Sequence, residues 1–213
     1  MMTDVDVHDS DAIVALGDLA LRFGRINRIT YHQDGMIPES DTDHTVMLGL
    51  ICCAFAQKHL PALDLGLIAQ FCLVHDLPEV YAGDTPTLRI TAEEREAKEQ
   101  REKTARSRIR MRFEVSLPWV PDTIDTYETQ RISESRYVKA MDKLVPKITH
   151  VLNAGVTIRE QGMTRDMLIK RYDSQLTELM EYTHDFPELL ELREDLLTFV
   201  FHTIDSSNGW AFK

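Results

Sequence analysis

Histidine and carboxylate side chains crowd one stretch of the chain, Phe71 to Thr87, FCLVHDLPEVYAGDTPT. His75 and Asp76 are metal-binding residue types at the end of an apolar run from Phe71 to Val74. Glu79 follows His75 by four residues, which on a helix puts both side chains on one face. Asp84 comes just beyond Gly83, where a helix is expected to stop. The His-Asp dipeptide alone says little, since His8-Asp9 and His184-Asp185 are also present. What sets His75-Asp76 apart is its apolar setting. Burying an ionised carboxylate there costs several kcal/mol unless a cation or partner compensates.

Two more residues have comparable settings. His44 stands at the start of the apolar run VMLGLICCAFA, and Asp142 borders the apolar face traced by Val138, Met141 and Val145. Two imidazoles and two carboxylates arriving from three helices make a borderline-hard divalent metal site with positions open for water and substrate. The competing reading makes each a separately satisfied core or cap residue. Spacing alone leaves both open.

The elements that must position these residues read as helices. Ser10 can cap a first helix carrying Ile13, Leu16, Ala20 and Phe23. A loop with Gly35 and Pro38 leads to the acidic cap SDTD. The next helix runs from near His44 to Leu60, apolar nearly all round and therefore expected inside the core. Asp64 caps the helix that ends at His75-Asp76. Thr91 and Glu94 form a capping box opening a strongly charged helix, expected at the surface. Pro118 and Pro121 interrupt the pattern around Trp119. A long helix is predicted from about Thr126, with Pro146 as a possible kink and Gly155 near its end. An amphipathic helix spans Thr164 to Thr183, and a last one starts at Asp185-Pro187 and ends before Ser206. No stretch shows strand alternation. The expectation is an all-α bundle of six or seven helices: one domain over residues 10–205, core motifs in 25–155, C-terminal helices in 164–204, and tails at 1–9 and 206–213.

Composition limits the partners. A net charge of -11 argues against binding a nucleic-acid polymer, whereas a metal and a few cations can reverse the sign locally for a small anion. Cys52, Cys53 and Cys72 lie in apolar runs without Cys-x-x-Cys spacing, which fits reduced thiols and a cytoplasmic setting. The acidic N-terminus lacks an apolar signal region, and the run Val46 to Ala56 is too short to cross a membrane.

The ordered set His44, His75-Asp76, Asp142 resembles the HD-domain metal-dependent phosphohydrolases, and more narrowly the YfbR-like 5'-deoxynucleotidases. The matching pieces are RINR (25–28), ESDTDH (39–44), HDLPEVYAGDTPT (75–87), the charged EEREAKEQRE segment and ESRYVKAMDKL (134–144). The resemblance implies that His44, His75, Asp76 and Asp142 hold one divalent cation, whose identity among Co, Mn, Zn and Fe(II) stays open. It implies catalytic roles for Glu79 and Asp84, with acid and base unassigned. Arg28 would hold the phosphate, with Thr85 and Lys143 as further substrate contacts and Thr87 and Lys139 as weaker candidates. Ile29 stands where relatives carry a sugar-shaping Trp. Val80 breaks the HDxxED pattern of the guanosine-tetraphosphate hydrolases, and no extra histidine pair suggests a two-metal site. Tyr31 and Trp119 are packing residues or base-stacking ones; His32, His59, His150 and His202 read as structural or surface residues. The implied activity is hydrolysis of nucleoside 5'-monophosphates, above all deoxyribonucleotides, by a homodimer. The alternatives are release of triphosphate from deoxynucleoside triphosphates and a non-catalytic nucleotide-sensing module.

Overall fold

Helix α1 (Val7–Phe23) opens a computed structural model that describes residues 7–86 and 90–206. The helix begins ahead of Ser10, the expected cap. Most of the expected tails, and Thr87, lie outside the described residues. After α1 the chain makes a small antiparallel hairpin, β1 (Asn27–Tyr31) with β2 (Pro38–Ser40), pairing Asn27 with Ser40 and Tyr31 with Pro38. This corrects the expectation of no strand. Its turn is held by Asp34, whose Oδ1 accepts from the Met36 and Ile37 amides at 2.8 and 3.1 Å. Gly35 has φ +67°, and a Cβ there would meet Val156 at 2.8 Å, so both backbone and space call for glycine.

The remaining described elements are α2 (Asp41–His59), α3 (Leu65–Val74), α4 (Glu79–Ala82), α5 (Ala92–Phe113), α6 (Trp119–Thr129), α7 (Ser133–Leu152), α8 (Val156–Glu160), α9 (Arg165–Thr183) and α10 (Pro187–Ser206). The all-α class holds, with more pieces than the six or seven expected. The helix predicted from Thr126 is two: Gln130 takes a left-handed conformation (φ 52°) after α6, and α7 restarts at Ser133. Pro121 sits in the first turn of α6, where an amide has no intrahelical partner to lose.

Caps fix where the site-bearing helices start. Ser40 and Asp43 form a capping box at α2, and the Asp64 carboxylate accepts from the Gly66 and Leu67 amides at α3. One core cluster joins α2, α3, α7 and α10 through Leu48, Phe71, Met141 and Leu189. A second gathers α1, α5 and α6 around Leu19, Ile109 and Val120, and a third joins α8, α9 and α10. Helix α2 is not enclosed on all sides, since Val46 and Leu50 are 55% and 69% exposed. The Tyr137 hydroxyl donates to the Cys52 carbonyl at 2.8 Å, tying α7 to α2 inside the core. Leu144, two residues from Asp142 along α7, is 1% exposed and packs in the first core cluster. Leu144→Ala is expected to destabilise the fold by about 2–5 kcal/mol, read from urea unfolding.

Candidate metal centre and its cavity

Helices α2, α3 and α7 meet where their polar residues interrupt the core. His44 lies in the first turn of α2, His75 caps the end of α3, and Asp142 sits mid-way along α7. The ligand atoms of His44, His75, Asp76 and Asp142 all lie within 4.8 Å of one another. His44 Nε2 is 3.0 Å from Asp142 Oδ1, and His75 Nε2 is 3.0 Å from Asp76 Oδ2 and 3.8 Å from Asp142 Oδ1.

A divalent cation fits this group on two grounds. His75 Nδ1 donates to the Cys72 carbonyl at 2.8 Å, which fixes the tautomer and leaves Nε2 as a buried lone pair with no hydrogen-bond partner, facing carboxylate oxygens. Lone pairs facing one another in a buried site call for positive charge between them. His44 gives the same answer: burial pulls its pKa down, but hydrogen bonds to Asp142 and Glu39 outweigh it and raise it to about 9. The pocket therefore favours a cation at that nitrogen, and a metal competes directly with the proton.

A second carboxylate group shares Asp76. Asp41, Asp76 and Glu79 also bring ligand atoms within 4.8 Å of one another. Arg28 on β1 occupies its edge, with Nη1 donating to Asp76 Oδ2 at 2.9 Å and Asp41 Oδ1 at 3.2 Å. The guanidinium thus begins as a counter-ion to protein carboxylates. Its pKa is raised, because Asp76, Asp84 and other carboxylates outweigh the effect of burial. Burial and repulsion from Asp76 push Asp41 up to about 6 despite Arg28. Burial, then Asp76, Asp84 and Asp41, push Glu79 well above the usual carboxylate range, against Lys98 at 3.7 Å. Asp84 is raised by burial, with Arg28 opposing.

His75 and Glu79 do not share a helical face as expected. Helix α3 ends at Val74, turns cover 75–78, and Glu79 starts α4, which Gly83 (φ 74°) closes. The turn, not an i,i+4 ridge, swings Glu79 toward Asp41 and Asp76.

These groups open into a cavity of about 360 Å³ that also takes in Arg28, Ile29, Thr85, Lys143 and the wider wall of α5, α7 and α9. Thr85 accepts from Arg101 Nη2 at 2.8 Å, and Lys143 donates to Glu178 at 3.1 Å, so both are already engaged. Lys139 and His150 line the cavity, whereas Tyr31 and Trp119 do not; Trp119 Nε1 donates to Gln70. The charged helix α5 is a cavity wall as well as a surface helix, through Arg95, Lys98 and Arg106. Sequence reading missed Asp41, Glu39, Lys98, Lys147 and Tyr172. Asp41 and Glu39 lay in a quoted motif, Asp41 as part of the acidic cap and Glu39 without a role, and the other three looked like ordinary helix positions.

An all-helical bundle with one His, His-Asp, Asp cluster at the junction of three helices defines a metal-binding domain class. The chain belongs to the HD domain family, whose sequence model matches residues 21–186. Among solved structures it is similar to a predicted metal-dependent phosphohydrolase from Magnetospirillum magnetotacticum MS-1, with 21% identity and a TM-score of 0.70 over 93% of this chain and 96% of that one. It is also similar to a conserved hypothetical protein from Pyrococcus furiosus, with 22% identity and a TM-score of 0.57 over 87% of this chain and 99% of that one. At these identities the likeness is one of fold. No curated protein matches the chain.

Two outcomes follow from the geometry. His75→Ala and Asp142→Ala each leave a divalent ion short of donors, so metal content after reconstitution should fall from one ion per chain toward none. The metal-dependent rise in thermal midpoint should vanish with it, as elemental analysis and thermal unfolding would show. Lys147, buried and repelled by Arg193, Arg171 and Lys143, has its pKa lowered from 10.5 to about 7. The unfolded chain then binds the extra proton between those values, so this residue makes stability rise with pH across that window. Lys147→Met should flatten that part of the profile of unfolding free energy against pH.

Proposed function

We propose that the protein is a metal-dependent phosphohydrolase that cleaves nucleoside 5'-monophosphates, deoxyribonucleotides above all, to nucleoside and phosphate. The observation that carries the reading is the meeting of a fitted four-residue cation site with buried proton carriers and a guanidinium in one cavity. When bound, the divalent ion supplies Lewis-acid polarisation of a phosphoryl oxygen and lowers the pKa of water.

The chain's own residues do the rest. Arg28 exchanges Asp41 and Asp76 for phosphoryl oxygens, and its planar, permanently charged fork suits them. Burial and neighbouring carboxylates raise the pKa of Glu79 well above the usual carboxylate range, which suits it to carry a proton to a leaving oxygen. Asp84 is the second proton carrier at the mouth. Asp41 holds Arg28 in register while the site is without substrate. Support for the nucleotide as substrate is the resemblance across RINR, ESDTDH and HDLPEVYAGDTPT.

A second reading, release of triphosphate from deoxynucleoside triphosphates, is favoured by the cation-rich extension of the same cavity along α7 and α9. The deciding assay measures phosphate and triphosphate release by the metal-reconstituted protein from deoxy- and ribonucleoside mono- and triphosphates. Phosphate from monophosphates is expected, and Glu79→Gln should lower kcat about 10²–10⁴-fold with metal content intact. Triphosphate as product would shift the assignment to the second reading. Silence on every nucleotide, with metal bound, would leave a nucleotide-sensing module.

A further inference from the structure

The end of the cavity built by α7 and α9 takes no part in the hydrolysis of a monophosphate. Lys143 and Lys147 of α7 line it with Arg171, Tyr172 and Glu178 of α9 and Arg95 of α5. Glu178 serves three of these cations: Lys143 at 3.1 Å, Arg95 at 3.3 Å and Arg171 at 3.9 Å. Lys143, Arg95 and Arg171 thus share one carboxylate, and Lys147 lines the same wall beside them, on a chain whose net charge is -11. Elsewhere in the cavity wall, Lys98 is paired with Glu102 and Arg106 with Glu128.

Lys147 is 3% exposed and, among the described residues, has no carboxylate partner. Its Nζ donates to the Lys143 carbonyl at 3.0 Å and Gln175 Oε1 at 3.4 Å, and stands 5.0 Å from the Tyr172 ring centroid. Close by in the wall, the Tyr172 hydroxyl and His150 Nδ1 have no hydrogen-bond partner although each residue is also 3% exposed. Arg171 Nε is likewise unpartnered. Each such group leaves about 1–3 kcal/mol of desolvation uncompensated. A buried amine without a carboxylate, and a hydroxyl and a guanidinium nitrogen without acceptors, in a cavity wall, call for an anion rich in acceptor oxygens.

We propose that this end of the cavity is a second anion subsite, in which Lys147, Arg171 and Tyr172 receive a further phosphoryl group of a nucleotide whose first lies at the metal centre. The identity of the group at the metal end rests on the function proposed above; the subsite itself stands on the α7–α9 wall. Asp142 and Lys147 are five residues apart on one helix, about 7.5 Å along its axis, a separation that a phosphate chain can span. Nucleotides with two or more phosphoryl groups therefore bind more tightly than monophosphates, as substrates or as occupants that exclude them.

The test compares inorganic tripolyphosphate with orthophosphate by calorimetric titration of the full, metal-loaded protein, with metal content checked after each titration. Tripolyphosphate is expected to bind at least about tenfold tighter. Arg171→Gln and Tyr172→Phe should each cut that advantage about tenfold, the loss of one hydrogen bond to a charged group, with orthophosphate affinity unchanged. Lys147→Met should cut it too while raising the thermal midpoint, since it removes a buried cation that lacks a counter-ion, so loss of folding cannot mimic the result. Equal affinity for the two anions, or an advantage that survives all three substitutions, overturns the subsite. Nucleotide turnover is scored separately on the same preparations. Absence of turnover with the tripolyphosphate advantage intact would sink the function proposed for the metal end and leave the subsite standing.

Discussion

Negative charge held out of water is the constraint on which the rest of this structure depends. Asp41, Asp76 and Glu79 meet in one cluster and Asp76 and Asp142 in an adjoining one, with Arg28, Lys98 and Lys139 close by to balance them. Several kcal/mol of desolvation per ion would be lost if these groups stayed ionised without compensation. The site meets that demand in two ways. Proton affinity is raised at Glu79 and Asp41, and the remaining charge is shared with His44 and Arg28. A divalent ion is the more complete answer, and the tautomer set by the Cys72 carbonyl leaves His75 ready for it.

Packing makes the arrangement rigid. His44, His75 and Asp142 come from helices whose other faces lie in one core cluster, and Leu77 and Val80, beside Asp76 and Glu79, pack into the second, so none can retreat without opening a core. The hairpin is the lighter part. Thr30 donates to Glu39, Glu39 stands 3.6 Å from His44 Nδ1, and the Asn153 amide donates to the Tyr31 carbonyl at 3.1 Å. Through these contacts the strands set the position of Arg28 against α2 and α7. A two-stranded ribbon this short has little stability of its own and persists because the helices hold it.

Residue type and helical period made the metal cluster readable, because His44, His75-Asp76 and Asp142 each break an apolar run at a point where a charge needs a reason. Helix caps were equally legible at Asp64 and Thr91, where a side chain satisfies backbone amides within three residues. The hairpin was not, since five and three residues are too few for alternation to rise above noise. Nor was the break at Gln130, a non-glycine residue in a left-handed conformation that nothing in its type announces. Glu79 was found for the wrong geometric reason: the turn over 75–78 carries it, and spacing counted along an assumed helix cannot see that. Lys147 and Tyr172 were invisible because their meaning comes from contact between α7 and α9, elements separated by a loop and a short helix.

Helix α7 holds Asp142 at one end of the cavity and Lys147 toward the other, with Pro146 between them. A helix of fixed rise acts as a ruler, so the distance between the two polar ends is written into the covalent count of residues. Adding or deleting one residue between positions 142 and 147 would rotate everything beyond it by about 100° relative to Asp142. This segment can therefore change its side chains over time but not its length, whereas the loop between the two strands can lengthen without disturbing the measure.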